Sequence, residues 1–244
     1  MAILVLFPRA YGATVSLESS RDKVAVGDTV IITLKISAEG QVINTIDGNI
    51  SIDTSKGKGS VKEFSLANSV FGMWPRTASL SPDGKTISFV GGVPGGMSIE
   101  NATVFNFAFQ ADKEGVVNFG LKDILVFLND NKGTTANVKT KNLSLNVVSK
   151  SESMSKNDWV DKVSNDKIPP EKFIIILGQD KKVYDGKIFA FFSAVDNQSG
   201  IDHYEVMENG SKPIRTGSVY VLSDQSDKVK LKVLAFDKAG NSTA

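Results

Sequence analysis

Short runs with apolar residues at every second position, set between turn residues, constrain this chain more than any other feature. No stretch between them holds a 3.6-residue apolar period over three turns. Thr29 to Ile36 is the strongest run, mostly β-branched and alternating in its later half. Thr14–Leu17, Thr45–Ile52, Thr86–Val90, Thr103–Gln110, Val116–Leu121 and Leu143–Val148 read the same way. Ser81-Pro82-Asp83-Gly84 has proline second and glycine fourth, which is type I turn chemistry. Strands at near-regular spacing with no helices between them imply an antiparallel sandwich rather than βαβ units.

The rhythm breaks at 149–168. Thirteen of the nineteen residues from Ser149 to Lys167 are Ser, Lys, Asp or Glu, which is linker composition. Ser155 with Asp158 resembles a capping box, and Trp159, Val160 and Val163 would share one face of a short helix. Pro169-Pro170 then forces an extended entry into a second β unit. Its strands read as Phe173–Leu177, Lys187–Val195, His203–Met207, Ser218–Leu222 and Lys228–Phe236. The expected organisation is a first sandwich over 14–148, a linker over 149–168 and a smaller sandwich over 169–244, truncated at its C-terminus.

Composition excludes several chemistries. The chain has 244 residues and no cysteine, so disulfides, thiol catalysis and thiolate zinc sites are absent. A single histidine, His203, excludes any site that needs two. Twenty-eight basic and 27 acidic residues balance to +1, which gives no net field toward nucleic acid. Apolar residues at 41% are enough to build a core. No run approaches the roughly 18 apolar residues of a membrane helix, so a membrane enters only through an anchor lost beyond Ala244. Ala2 to Phe7 followed by Pro8-Arg9 and Ala10-Tyr11-Gly12-Ala13 reads as the remnant of a signal peptide over 1–13, cleaved after Gly12 or Ala13. The alternative is an edge strand over 2–7. Export places the protein outside the cell or on its surface.

Four segments carry a family resemblance. They are Val26-Gly27-Asp28-Thr29-Val30, Ile50-Ser51-Ile52-Asp53, Phe105–Ala111 followed by Lys113-Glu114-Gly115, and Phe119 through Gly133. Together they resemble the cohesin family, whose jelly-roll β-sandwich is shared with a class of carbohydrate-binding modules. The resemblance implies an all-β, non-catalytic binding module that holds a dockerin-like protein, another surface protein or a polysaccharide. It also implies ligand contacts at two positions on the strand ending at Asp53. Asp47 matches the acidic one, and Thr45 stands where asparagine is usual. The corner Ile52-Asp53-Thr54 lacks the usual proline. Ser199–Val206 and Ala235–Asn241 resemble bacterial Ig-like modules.

The candidate sites are few. His203 has no nucleophile elbow such as GxSxG to serve, and an enzyme is not expected. Phe71-Gly72-Met73-Trp74-Pro75 makes Trp74 either a sugar-stacking platform or a plug for one end of the sandwich. Gly91–Gly96 lacks the Lys-Ser/Thr of a phosphate loop and reads as a wide loop. No cofactor is required by any motif, and calcium is the one ion the loops could take. Asp130 could bind it in the turn Asn129–Gly133, and Asp196, Asp202 and Asp237 at strand ends could meet across one pole. The functions left are a binding module, a structural spacer of a surface protein, or an accessory part of a polysaccharide-degrading enzyme.

Overall fold

The computed structural model describes residues 12–150, 155–226 and 228–244. The chain divides into two compact units. One takes residues up to 64 together with 70–156, and the other takes 65–69 together with 157–244. The stretch 149–168 is therefore shared between them, and Ser65–Ser69, which lies inside the first sandwich by sequence, belongs to the second unit.

The first unit is built from β1 (Gly12–Ser19), β2 (Val24–Ala25), β3 (Thr29–Ser37), β4 (Ile43–Ser65), β5 (Met73–Leu80), β6 (Thr86–Met97), β7 (Ala102–Leu128), β8 (Asn137–Lys141) and β9 (Leu143–Val148). Hydrogen bonding runs β5-β6-β4-β7-β3-β1-β8, and β9 pairs with β7 and β2. Of the signal-peptide reading over 1–13, residues 1–11 lie outside the described residues. Gly12 and Ala13 lie in β1, where Ala13 is fully buried.

Alternation does what the sequence pattern requires. Val30, Ile32 and Leu34 of β3 point inward and stand opposite Phe109, Phe107 and Phe105 of β7. Such cross-strand apolar pairs are the stabilising unit of a sheet. Phe105 sits centrally, with ring centroids 5.1 Å from Phe89, 6.2 Å from Trp74, 6.4 Å from Phe107 and 6.5 Å from Phe64. Two strands exceed expectation. β4 continues through the corner at Asp53 to Ser65, and β7 continues through Asp112–Gly115 to Leu128. Gly115 allows the second with φ +124°, and a Cβ there would fall on the Lys56 carbonyl oxygen.

In the second unit, helix α1 (Asp158–Asn165) is capped by Asn157, whose Oδ1 accepts Val160 N at 3.0 Å. This corrects the Ser155–Asp158 capping box: the asparagine directly before the helix reaches that amide itself. One sheet joins β10 (Ile175–Asp180), β11 (Val183–Phe192) and β14 (Val219–Val221). The other orders β13 (Ile214–Thr216), β12 (Ile201–Glu208), β15 (Leu231–Asp237) and β16 (Ser242–Thr243). Ala190 and Phe192 of the first sheet share a core with Tyr204, Val206, Val233 and Ala235 of the second. Among the described residues no helix is long and apolar enough to cross a membrane.

Candidate functional site

The strand β4 presents Thr45, Asp47 and Asn49 outward, because Ile46, Gly48 and Ile50 between them are buried. On β6 the alternation puts Phe89 and Gly91 inside and leaves Ser88 and Val90 half-buried on the outer side. Antiparallel register aligns these residues in three rows across β4, β6 and β5. The rows are Thr45–Gly92–Met73, Asp47–Val90–Arg76 and Asn49–Ser88–Ser79. Met73 is 44% exposed. A Cβ on Gly92 would meet only Asn44 O at 3.4 Å and Thr45 Oγ1 at 3.7 Å, so the missing side chain leaves a shallow dip between Thr45 and Met73. Ser88 Oγ donates to Asn49 Oδ1 at 2.7 Å, which fixes the polar end of the face. Val90 therefore stands at the centre of the face, between Asp47 on β4 and Arg76 on β5, and exposed Met73 shares the β5 side with Arg76.

Trp74 does not lie on that face. Its Nε1 donates to Phe71 O at 3.0 Å, and its ring meets Phe71 and Phe105 edge to face. A Cβ on Gly91 would touch the ring at 3.0 Å, so glycine at 91 makes the room that lets Trp74 close over the core. Of the two readings of this residue, the geometry describes the plug. Trp74→Ala is expected to cost about 2–4 kcal/mol, the range for a large core side chain that is not fully enclosed. A thermal melt checks this, and a shift of under about 1 kcal/mol would return Trp74 to the surface.

Of the four metal candidates, Asp130 and Asp202 stand apart from the other two. Asp130 Oδ1 accepts Lys132 N at 2.9 Å in an exposed turn, where Asn131 and Gly133 have positive φ. The Thr134 hydroxyl and the Lys132 amide hold its carboxyl below the usual range. Asp202 Oδ2 lies 2.8 Å from Arg215 Nη2 and 2.7 Å from His203 Nδ1, while the His203 ring stacks on Phe236. Asp196 and Asp237 do come together, and the acid that joins them is Asp166 rather than Asp202. One carboxylate oxygen from each lies within 4.8 Å of the others, and all three residues are buried. Burial pushes the Asp196 carboxyl up against the amides of Gly200 and Gln198, and the charges of Asp166 and Asp237 push it further. Asp166 escaped the sequence reading because it sits in the polar stretch before Pro169-Pro170. Its place as the last acid before that entry was the only signal.

A cleft of about 210 Å³ in the first unit is lined by Arg21, Lys23, Val24, Asp28, Lys150 and Lys156, among others. Its one acid is engaged structurally. Asp28 accepts Lys156 N at 2.8 Å and Ala25 N at 3.1 Å, and pairs with Arg21 Nη1 at 2.9 Å.

No family model matches this sequence, and no curated protein matches it. Solved structures do. A non-cellulosomal cohesin from the archaeon Archaeoglobus fulgidus is similar at 16% identity and TM-score 0.45, covering 56% of this chain and 91% of that one. The seventh ScaB type I cohesin of Pseudobacteroides cellulosolvens is similar at 16% identity and TM-score 0.48, covering 59% of this chain and 97% of that one. A cohesin in complex with a dockerin, Coh-OlpC–Doc435 of Clostridium thermocellum, is similar at 10% identity and TM-score 0.48, covering 61% and 100%.

Proposed function

We propose that this protein is a non-catalytic binding module of the cell exterior or cell surface, and that it holds a protein partner through the face of β4, β6 and β5. The reading is carried by the three cross-strand rows. They set Val90 between the opposite charges of Asp47 and Arg76, with exposed Met73 alongside, and an apolar centre flanked by polar and charged groups is the anatomy of a protein interface. A polysaccharide site would instead place aromatic rings on the surface, and Trp74 turns its ring into the core. The second unit, Ig-like in its sequence pattern, then serves as the neighbouring module of a surface protein.

The test pairs two ligand classes on the full chain. Dockerin modules are the first protein probes, run as native-gel mobility shifts. Hydroxyethyl cellulose, xylan and mannan are run beside them by affinity electrophoresis. A protein partner is expected to shift the wild type. Asp47→Arg should weaken that complex roughly tenfold or more, because reversing a charge in an interface costs well over 1.4 kcal/mol. The melt should not move, since Asp47 points away from the core. Retardation by a polysaccharide that Trp74→Ala abolishes without a melt shift would overturn the reading in favour of sugar binding. An Asp47→Arg complex as tight as the wild type would remove this face from the site.

A further inference from the structure

We propose that Asp166, Asp196 and Asp237, with the hydroxyl of Ser199, form a calcium site in the second unit. The three aspartates are 1%, 4% and 2% exposed, with a carboxylate oxygen of each within 4.8 Å of the others. Buried carboxylates crowded this closely repel, and proteins retain buried charges where they are paired or coordinate a metal. Two neighbouring lysines are engaged with other groups. Lys167 Nζ donates to Ser164 O at 2.8 Å, and Lys238 Nζ lies 5.8 Å over the Trp159 ring. Lys162 lies near enough to feel Asp196 and Asp166, but makes no ion pair within 4.0 Å with any of the three acids.

The second observation is Ser199. It is completely buried, and its Oγ is the one buried side-chain polar atom among the described residues without a hydrogen-bond partner. Its own backbone amide donates to Asp166 Oδ2 at 3.0 Å, which sets the hydroxyl against that carboxylate. A buried hydroxyl with no partner is costly, and one set against the Asp166 carboxylate of this trio has a use as a ligand.

The backbone holds these groups in place. Asp166 accepts Ile168 N on Oδ1 and Ser199 N on Oδ2, both at 3.0 Å. Asp196 accepts Gln198 N at 3.2 Å and Gly200 N at 2.6 Å, both on Oδ1, which leaves Oδ2 without a donor. Asp237 accepts the Asn241 amide and side chain at 2.8 Å each. The donor set is all hard oxygen, with neither histidine nor thiolate in the group. That selects calcium or magnesium over zinc or copper. Calcium takes six to eight oxygens in adaptable geometry, so a carboxylate trio and a hydroxyl completed by water suits it better than the strict octahedron of magnesium.

The experiment titrates calcium chloride into chelator-treated full-length chain by calorimetry, with thermal melts beside it. One saturable site is expected, and calcium at roughly ten times Kd should raise the melting point of the second unit by about 5–10 °C. Asp196→Asn keeps the acceptor for Gly200 N and should abolish both the heat and the shift. Ser199→Ala should melt no lower than wild type in chelator, because it removes an unpartnered hydroxyl. Its calcium affinity should fall roughly tenfold or more. Asp130→Asn and Asp202→Asn should bind as the wild type does. The absence of a saturable heat in the wild type would overturn the site. So would an Asp196→Asn variant that binds calcium normally, or an equal melt shift from magnesium in every variant.

Discussion

Phe105→Ala is expected to remove about 4–5 kcal/mol from the first unit, the upper part of the range for truncating a fully buried phenylalanine. The ring is wholly enclosed, and its neighbours come from four separate places in the chain: Phe64 at the end of β4, Trp74 on β5, Phe89 on β6 and Phe107 two residues along β7. No single side chain can move to fill the space, because each is fixed by its own strand. The loss is about a third or more of the roughly 5–15 kcal/mol that stabilises an ordinary domain. In a unit of this size it should lower the melting point by about 10–15 °C. The two tryptophans report separately, Trp74 in the first unit and Trp159 in the second, so tryptophan emission tells which transition has moved. A loss below about 1 kcal/mol would place the centre of the core elsewhere.

Much of that core was legible from alternation alone. The run Thr29–Ile36 is read as a strand because apolar, mostly β-branched residues at every second position fit a half-buried pleat, and β3 occupies Thr29–Ser37. The turn at Ser81-Pro82-Asp83-Gly84 forms as its residues dictate, with Gly84 N donating to Ser81 O at 2.9 Å. The lengths of β4 and β7 were not legible. Ser55-Lys56-Gly57-Lys58-Gly59 and Asp112-Lys113-Glu114-Gly115 are turn-like in composition, yet both stay extended because each strand finds its partner in the other. That pairing joins segments more than fifty residues apart, and local propensity does not encode it.

The site residues divide along the same line. Outward placement of Thr45 and Asp47 follows from period two within a single strand. The orientation of Trp74 does not, because it depends on Gly91 leaving space and on Phe71 O accepting its indole N–H. Asp196 and Asp237 could be expected to meet as acids at neighbouring strand ends. The participation of Asp166 and the burial of Ser199 arise from a chain entry some thirty residues earlier, and only the assembled unit brings them to one place.

Asp28→Ala is expected to cost the first unit about 3 kcal/mol at neutral pH. The substitution strands two backbone amides, Lys156 N and Ala25 N, and leaves the Arg21 guanidinium without its carboxylate, so the cost exceeds that of one hydrogen bond. Arg21 keeps backbone acceptors, among them Thr29 O at 3.3 Å and Lys156 O at 3.5 Å, which keeps the loss below that of a fully buried pair. The pH dependence has a definite sign. Burial pushes the Asp28 carboxyl up, but the amides of Lys156 and Ala25 and the charge of Arg21 outweigh it, and the folded pKa ends below the ordinary value. A carboxylate with a depressed folded pKa adds stability above its unfolded pKa, about 3.9, and loses it as pH falls through the folded value. The gap between wild type and Asp28→Ala should therefore be constant from about pH 5 to 7 and narrow steadily below about pH 4. Denaturant unfolding followed by Trp74 emission at a series of pH values measures it. Because Asp28 also ties down the backbone at Lys156, tryptic cleavage after that lysine should be faster in the variant under native conditions. A gap that widens on acidification would mean that Asp28 is held by burial alone and that the contacts with Arg21 and Lys156 contribute nothing.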